Sequence, residues 1–147
     1  MRPPVSVPDL AALSAEAAAF VETLQPKGSA ATLVTLSGEL GAGKTSFVQA
    51  AARALGVAES VTSPTFVLAK SYALPEGLAF TALLHVDAYR LAGGEDLRRI
   101  GVSEALQDPG TLLFLEWPDI VKDGLPAADV SITLAGNDDG SRTITYA

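Results

Sequence analysis

The chain has 147 residues, 48% of them hydrophobic, which is enough apolar material for one domain to build a core. It has no cysteine and a single histidine, which excludes disulfides and thiolate metal sites and leaves oxygen atoms as the expected ligands of any metal. Ten basic residues against 17 acidic ones give a formal charge of −7, which argues against a broad surface for nucleic acid.

The N-terminal segment and the hydropathy of the chain indicate a protein of the cytoplasm. The segment MRPPVSVPDL has no apolar run followed by a small-residue cleavage site, and no segment approaches the roughly 18 apolar residues of a membrane span. We therefore expect a cytoplasmic protein without membrane contact, and one domain over residues 1–147.

The first half of the chain alternates between helical and strand patterns. Apolar residues recur every three or four positions over residues 9–24, which predicts an amphipathic helix with Asp9 as its N-cap. Residues 32–36 form a short aliphatic and β-branched run, which predicts a buried strand. A second helical face begins after Thr45 and ends before Gly56, whose position is typical of a C-terminal stop.

The second half is richer in strand patterns. It contains five apolar runs. A short turn separates the first run from the second, and another separates the fourth from the fifth, which predicts two antiparallel hairpins. The middle run ends at Glu116, and before it a loop at residues 92–96 leads into a helical stretch over residues 97–106. The predicted strands are residues 66–74, 79–86, 111–115, 129–134 and 142–146.

The segment SGELGAGKTS, residues 37–46, lies between the strand predicted over residues 32–36 and the second predicted helix. It fits G-x-x-x-x-G-K-[ST], the phosphate-binding P-loop, in which glycines let successive backbone N–H groups face the phosphates at a helix N-terminus. Lys44 is expected to reach the β- and γ-phosphates, and the Thr45 hydroxyl to bind Mg²⁺. The alternative is a glycine-rich turn without a ligand. The residues expected to contact the nucleotide are Glu39, Leu40, Gly41, Ala42, Gly43, Lys44, Thr45 and Ser46.

Two acids, each at the end of an apolar run, compete to complete the magnesium site. Glu116 follows the cleaner buried strand and is our first choice as a metal ligand, directly or through a water. Asp87 follows a strand that carries a histidine, and we expect it to orient the attacking water or to act as its base. The alternative for each is a solvated acid at a strand end.

Four further residues each have a functional and a structural interpretation. Thr65, after Ser-Pro, either senses the γ-phosphate as a switch or caps its own turn. His85 is either a partner of Asp87 or a core residue, and Trp117 either covers the site or a partner surface or belongs to the core. Arg90 either neutralises charge during phosphoryl transfer or forms a surface ion pair.

Four segments, in this order and at these intervals, resemble the TsaE (YjeE) family. They are GELGAGKTSF, VTSPTFVLAKSY, LLHVDAYRL and LLFLEWPDIV, and the resemblance extends from about Pro8 to the end of the chain. P-loops occur in many families, whereas the Ser-Pro-Thr, His-x-Asp-x-Tyr-Arg and Glu-Trp-Pro elements together are specific to this one. The resemblance implies a compact α/β fold, a P-loop sheet with a parallel core extended by antiparallel strands and flanked by helices, as the two predicted hairpins also suggest.

TsaE proteins are bacterial ATPases required for the threonylcarbamoyl modification of adenosine 37 in tRNA, so the resemblance implies ATP and Mg²⁺ as cofactors. It implies hydrolysis that is slow alone and stimulated by the TsaB–TsaD complex, with ATP turnover resetting the transferase TsaD between rounds. The protein would then meet tRNA only indirectly or through a small local patch. Lys44 and Thr45 match the family's phosphate and magnesium residues, Glu116 its second magnesium-associated acid, and Asp87 its acid implicated in hydrolysis.

Two other functions would use the same residues. A small-molecule kinase needs a mobile lid with arginines and a pocket for its acceptor, and the region after Gly93, with Arg98 and Arg99, is too short for a convincing lid. A nucleotide-gated binding module would use bound ATP to order a partner surface, with turnover incidental.

Overall fold

Seven strands and five α-helices form the part of the chain that the computed structural model describes, residues 3–59 and 69–147. No helix within these two ranges is both long and apolar enough to cross a membrane. The strands are β1 (Val5–Val7), β2 (Thr32–Ser37), β3 (Ala69–Ala73), β4 (Ala82–Asp87), β5 (Thr111–Glu116), β6 (Val130–Gly136) and β7 (Arg142–Tyr146). The helices are α1 (Leu10–Glu22), α2 (Lys44–Ala54), α3 (Glu95–Arg99), α4 (Val102–Ala105) and α5 (Pro118–Val121), which a 3-10 turn at Lys122–Gly124 follows.

The strands form one sheet in the order β1-β7-β6-β2-β5-β4-β3. Its four central strands, β6, β2, β5 and β4, run parallel to one another. The outer strands β7, β1 and β3 pair antiparallel with their neighbours. The predicted fold, a parallel core extended by antiparallel strands and flanked by helices, is therefore confirmed.

Helices cover both faces of the sheet. Side chains alternate along β5, so that Leu112 and Phe114 join one buried cluster while Leu113 and Leu115 join the other. Residues of α1 and α2 complete the first cluster, and residues of α3, α4 and α5 complete the second. A strand with apolar side chains on both faces is typical of such a parallel core.

Helix α1 packs against both α2 and strand β7 on one face of the sheet. The Asp9 carboxylate accepts a hydrogen bond of 2.8 Å from the Ala12 N–H, so Asp9 caps α1 as predicted. The Phe20 ring packs against Phe47 of α2, with 5.8 Å between centroids, and stacks on Tyr146 of β7 at 5.3 Å. Because α2 begins at the end of the glycine loop, these contacts hold the loop's helix against the sheet.

The structure differs from the predicted elements in several places. Strand β1 and helix α5 were not predicted, because three or four residues are too few to show a periodic pattern. The helical stretch predicted over residues 97–106 is divided into α3 and α4 by Gly101, whose φ of 83° interrupts the helix. The strand predicted over residues 79–86 begins three residues later and includes Asp87, and the first three residues of the strand predicted over 66–74 lie outside the described residues.

Candidate functional site

The glycine loop and both predicted acids lie at the carboxyl ends of the parallel strands. The loop follows β2, while Asp87 and Glu116 are the last residues of β4 and β5 and lie opposite each other in the register. Ligands of open α/β sheets bind at this edge. A cavity of about 260 Å³ is lined here by Leu40, Gly41, Gly43, Lys44, Thr45, Ser46, Asp87, Tyr89, Glu116, Trp117 and Arg142.

Three glycines determine the shape of the loop. Gly38, Gly41 and Gly43 have φ angles of 146°, 79° and 105°, a region that other residues rarely adopt. A Cβ atom on Gly38 would lie 2.3 Å from the carbonyl oxygen of Leu134 in β6, so only glycine fits there. Gly43 is the N-cap of α2 and offers no side-chain cap, which leaves the first backbone N–H groups of this helix available to an anion.

Lys44 is buried and its ammonium group is held by the loop itself. Its Nζ donates hydrogen bonds to the carbonyl oxygens of Gly38 at 2.5 Å and of Glu39 at 2.9 Å. Burial lowers the pKa of Lys44, while the negative charges of Glu116 and Asp87 oppose this change. The lysine is therefore positioned between the loop and the two carboxylates.

Thr45 and Glu116 are directly connected. The Thr45 hydroxyl lies 3.1 Å from both carboxylate oxygens of Glu116, a residue that is only 2% exposed. Since Thr45 belongs to the first turn of α2 and Glu116 ends β5, this hydrogen bond joins the loop's helix to the neighbouring strand.

His85 contacts a different acid from the one expected. Its Nε2 lies 2.6 Å from Oε2 of Glu116, so the predicted partnership with Asp87 is replaced by one with Glu116. The reason is the register: His85 lies opposite Phe114, and Glu116 is two residues further along β5 on the same face of the sheet. His85 is fully buried, so the structural interpretation of a core residue also holds.

The donor atoms at Thr45 and Glu116 suit magnesium, because a hydroxyl and a carboxylate are oxygen ligands. Within residues 3–59 and 69–147, no group of three or more His, Cys, Asp or Glu side chains could hold a metal ion alone. Mg²⁺ is commonly held by one or two carboxylates together with phosphate oxygens and waters. These residues therefore fit an ion that arrives with a nucleotide.

Asp87 lies at the same cavity in a half-buried position. Its Oδ1 accepts a hydrogen bond of 3.0 Å from the Tyr89 N–H. Burial raises the pKa of Asp87 and outweighs the opposing effect of the Tyr89 N–H, while the charge of Glu116 raises it further. A carboxylate with a raised pKa is better suited to accept a proton than an ordinary aspartate.

Two aromatic residues border the cavity. Trp117 has φ 62°, and it is the one residue other than glycine with a positive φ in the described part of the chain. Its ring lies 4.2 Å from Nζ of Lys44 and 5.0 Å from the ring of the half-exposed Tyr89. A strained backbone of this kind costs about 1–3 kcal/mol and is often found at functional sites.

Arg142 is a cavity residue that the sequence analysis missed. It begins β7, and its Nε and Cδ lie 3.1 and 3.2 Å from the position that a Cβ on Gly43 would occupy. It forms no ion pair with any residue of the described ranges. Its approach to the loop depends on the pairing of β7 with β6, which leaves no local signal in the sequence.

Some predicted site residues lie elsewhere. Of the eight residues expected to contact the nucleotide, Glu39 and Ala42 do not line the cavity: Glu39 faces an adjacent one beside Trp117, and Ala42 is buried. Arg90 is exposed and lies outside the cavity lining, and Thr65 lies outside the described residues.

The strand, glycine loop and helix, with acids at the ends of two adjacent parallel strands, define the chain as a P-loop protein of the α/β class. The family described as threonylcarbamoyl adenosine biosynthesis protein TsaE matches residues 8–144. The chain belongs to the TsaE family, whose role is in tRNA threonylcarbamoyladenosine biosynthesis.

Individual relatives agree with this assignment. The TsaE protein of Treponema pallidum is 41% identical over 116 residues, which cover 79% of this chain and 82% of that protein. The TsaE protein of Rickettsia bellii is 38% identical over 127 residues, covering 86% and 81%. The crystal structure of YdiB from Bacillus subtilis has a TM-score of 0.76 and 26% identity, and the match covers 98% of this chain and 83% of YdiB.

We expect Gly38→Ala to lower the free energy of unfolding by about 2–5 kcal/mol, because the methyl group would collide with the Leu134 carbonyl and the positive φ would be strained. Gly28→Ala is the matched control, since Gly28 has φ 83° with nothing within 4 Å of an added Cβ. It should lose only about 1–2 kcal/mol. Chemical denaturation measures both values, and equal losses would show that the contact with β6 does not constrain the loop.

Proposed function

We propose that the chain is an ATPase that binds ATP with Mg²⁺ in this cavity. Its turnover supports the threonylcarbamoylation of adenosine 37 in tRNA by acting on the TsaB–TsaD transferase complex. The observation that carries the proposal is the Thr45–Glu116 hydrogen bond beside Lys44 and Asp87, which assembles the four side chains that P-loop chemistry requires. Membership of the TsaE family supports the pathway, and the cavity supports the chemistry.

The loop and Lys44 bind the phosphates. The free N–H groups at the N-terminus of α2 are suitable donors for phosphate oxygens, and the helix dipole favours their negative charge. Lys44 exchanges its two carbonyl acceptors, on Gly38 and Glu39, for oxygens of the β- and γ-phosphates. Because the ammonium is already ordered, little side-chain entropy is lost in this exchange.

The acids serve the metal and the attacking water. Thr45 and Glu116 would hold Mg²⁺, Glu116 directly or through a water, and the ion would supply charge neutralisation for the phosphates. Asp87 orients the water that attacks the γ-phosphate or accepts its proton. The burial that raises the pKa of Asp87 supports the role of a base.

The sheet order suggests how the nucleotide lies across the loop. Strands β5 and β4, with both acids, are on one side of β2, and β6 and β7 are on the other. The γ-phosphate belongs on the side of the acids, so the α-phosphate and nucleoside extend toward Arg142. An arginine without an ion-pair partner in the described ranges is a suitable donor for this end of the ligand.

The kinase alternative receives little support from the arginines that a lid would need. Arg98 pairs with Glu95, and Arg99 lies 3.4 Å from Asp96, each within the short helix α3. Neither arginine lines the cavity. The formal charge of −7 also favours a protein partner over direct tRNA binding, except through a small local patch.

The proposal is tested by measuring ATP hydrolysis with Mg²⁺, alone and with TsaB and TsaD, while tRNA modification is followed in the same reactions. We expect slow hydrolysis alone, stimulation by the complex, and multiple rounds of modification only while ATP is hydrolysed. Tight ATP binding without stimulation would favour the nucleotide-gated binding module. Phosphorylation of an added metabolite would favour the kinase.

We expect Asp87→Asn to separate binding from turnover. The amide keeps the size of the side chain but cannot accept the proton, so hydrolysis should fall at least about 100-fold while ATP affinity changes by less than about threefold. Lys44→Ala is the contrasting variant and should weaken ATP binding about 10- to 100-fold through loss of charged hydrogen bonds. Full support of tRNA modification by Asp87→Asn without turnover would show that hydrolysis is not the function.

We expect Arg142→Ala to weaken ATP binding about tenfold, as loss of one charge-assisted hydrogen bond predicts. Arg53→Ala is the matched control, because Arg53 carries the same charge at the exposed C-terminal end of α2 and does not line the cavity. Calorimetric titration with ATP and with inorganic tripolyphosphate measures both variants. An Arg142 variant that lost no more affinity than the control would place the nucleoside elsewhere.

A further inference from the structure

His85 on β4 is fully buried, yet it contacts the acid that the proposed function assigns to the metal. Its ring reaches diagonally from β4 to β5, where Nε2 lies 2.6 Å from Oε2 of Glu116. The other ring nitrogen, Nδ1, is buried and has no hydrogen-bond partner within residues 3–59 and 69–147. Among the described residues, one nitrogen of the imidazole is therefore hydrogen-bonded and the other is not.

Within the described residues, this asymmetry favours one tautomer of the ring. A carboxylate only accepts hydrogen bonds, so Nε2 must carry the hydrogen that it donates to Glu116. A hydrogen on Nδ1 would be a buried donor without an acceptor in the described ranges, which is costly, whereas an unpaired acceptor on Nδ1 is better tolerated. The neutral ring with its hydrogen on Nε2 satisfies both conditions.

The carboxylate is held from two directions. The Thr45 hydroxyl lies 3.1 Å from each of its oxygens on one side, and His85 donates to Oε2 on the other. Without His85, the Thr45 hydroxyl would be the only hydrogen-bond donor among the described residues to a nearly buried carboxylate that can rotate about its side-chain bonds. Partners of this kind behind a metal-binding group typically change metal affinity 10- to 100-fold.

We propose that His85 is a positioning residue for Glu116: its Nε2–H holds the carboxylate toward Thr45, so that the oxygens for a divalent cation are in place before the nucleotide arrives. The inference rests on the proposed binding of Mg²⁺ with ATP. It assigns to His85 a role that a purely structural core residue would not have, because such a residue would affect folding but not the contribution of Mg²⁺ to ATP affinity.

The first test uses two amide variants that differ in reach. In His85→Gln the side-chain amide nitrogen lies near the position of Nε2, while in His85→Asn it lies near that of Nδ1. ATP affinity is measured by calorimetry in Mg²⁺ and in EDTA, and thermal unfolding is recorded for each protein. We expect His85→Gln to keep the gain in affinity that Mg²⁺ provides and His85→Asn to lose at least about tenfold of it, with equal affinities in EDTA.

The outcomes separate this inference from the proposed function. Equal Mg²⁺ gains in both variants, or losses of the same size in Mg²⁺ and EDTA, would overturn the role of His85. An unmodified protein whose ATP affinity does not depend on Mg²⁺ would instead contradict the proposed function.

The second test needs no substitution at position 85, so it stands even if the amide variants fail to fold. His85 is the only histidine of the sequence, and its ring signals in ¹⁵N NMR spectra are therefore unambiguous. We expect the tautomer with hydrogen on Nε2, a slowly exchanging Nε2–H signal, and a shift of that signal in Glu116→Gln but little change in Asp87→Asn. Hydrogen on Nδ1, or a larger shift in Asp87→Asn, would overturn the inference.

Discussion

The buried carboxylate of Glu116 is the constraint on which the site depends. An ionised carboxylate removed from water costs several kcal/mol unless it is paired and hydrogen-bonded. At 2% exposure, Glu116 receives this compensation from three groups on two elements: the Thr45 hydroxyl and the positive charge of Lys44 on α2, and the His85 ring on β4. Moving either element would remove part of this compensation, so the burial of Glu116 favours a fixed position of the glycine loop against the ends of both acid-bearing strands.

The residue that follows Glu116 extends this arrangement to Lys44. Trp117 leaves β5 in a left-handed conformation, which costs about 1–3 kcal/mol. Its ring lies 4.2 Å from the Lys44 ammonium, and a contact of this kind contributes about 0.5–2 kcal/mol. The contact with Lys44 thus partly offsets the strain at Trp117. It also orders the lysine between an aromatic face and two loop carbonyls, which reduces the side-chain entropy that Lys44 loses when it binds a phosphate.

Local sequence patterns predicted much of the fold but less of the site. Glycine positions and apolar periodicity predicted β2, α2 and both hairpins, because these signals lie within a few adjacent residues. The proximity of Asp87 and Glu116 also followed, since parallel strands end at one edge. The partner of His85 and the approach of Arg142 to the loop depend on register and strand order, which join residues about 30 and 100 positions apart and leave no local signal.

The charges around the cavity give a physical reason for the proposed dependence on partner proteins. On the side of β5 and β4, two carboxylates face the cavity, and among the described residues that line it only Lys44 is a cation on that side. Phosphoryl transfer spreads negative charge over the γ-phosphate oxygens, and an arginine placed there is worth about 10³–10⁵ in rate in P-loop enzymes. Arg142 lies across the loop, where it cannot serve this end of the nucleotide as we orient it. On the proposed function, such a cavity hydrolyses ATP slowly by itself, and a partner that supplied a cation on the side of the acids would accelerate turnover.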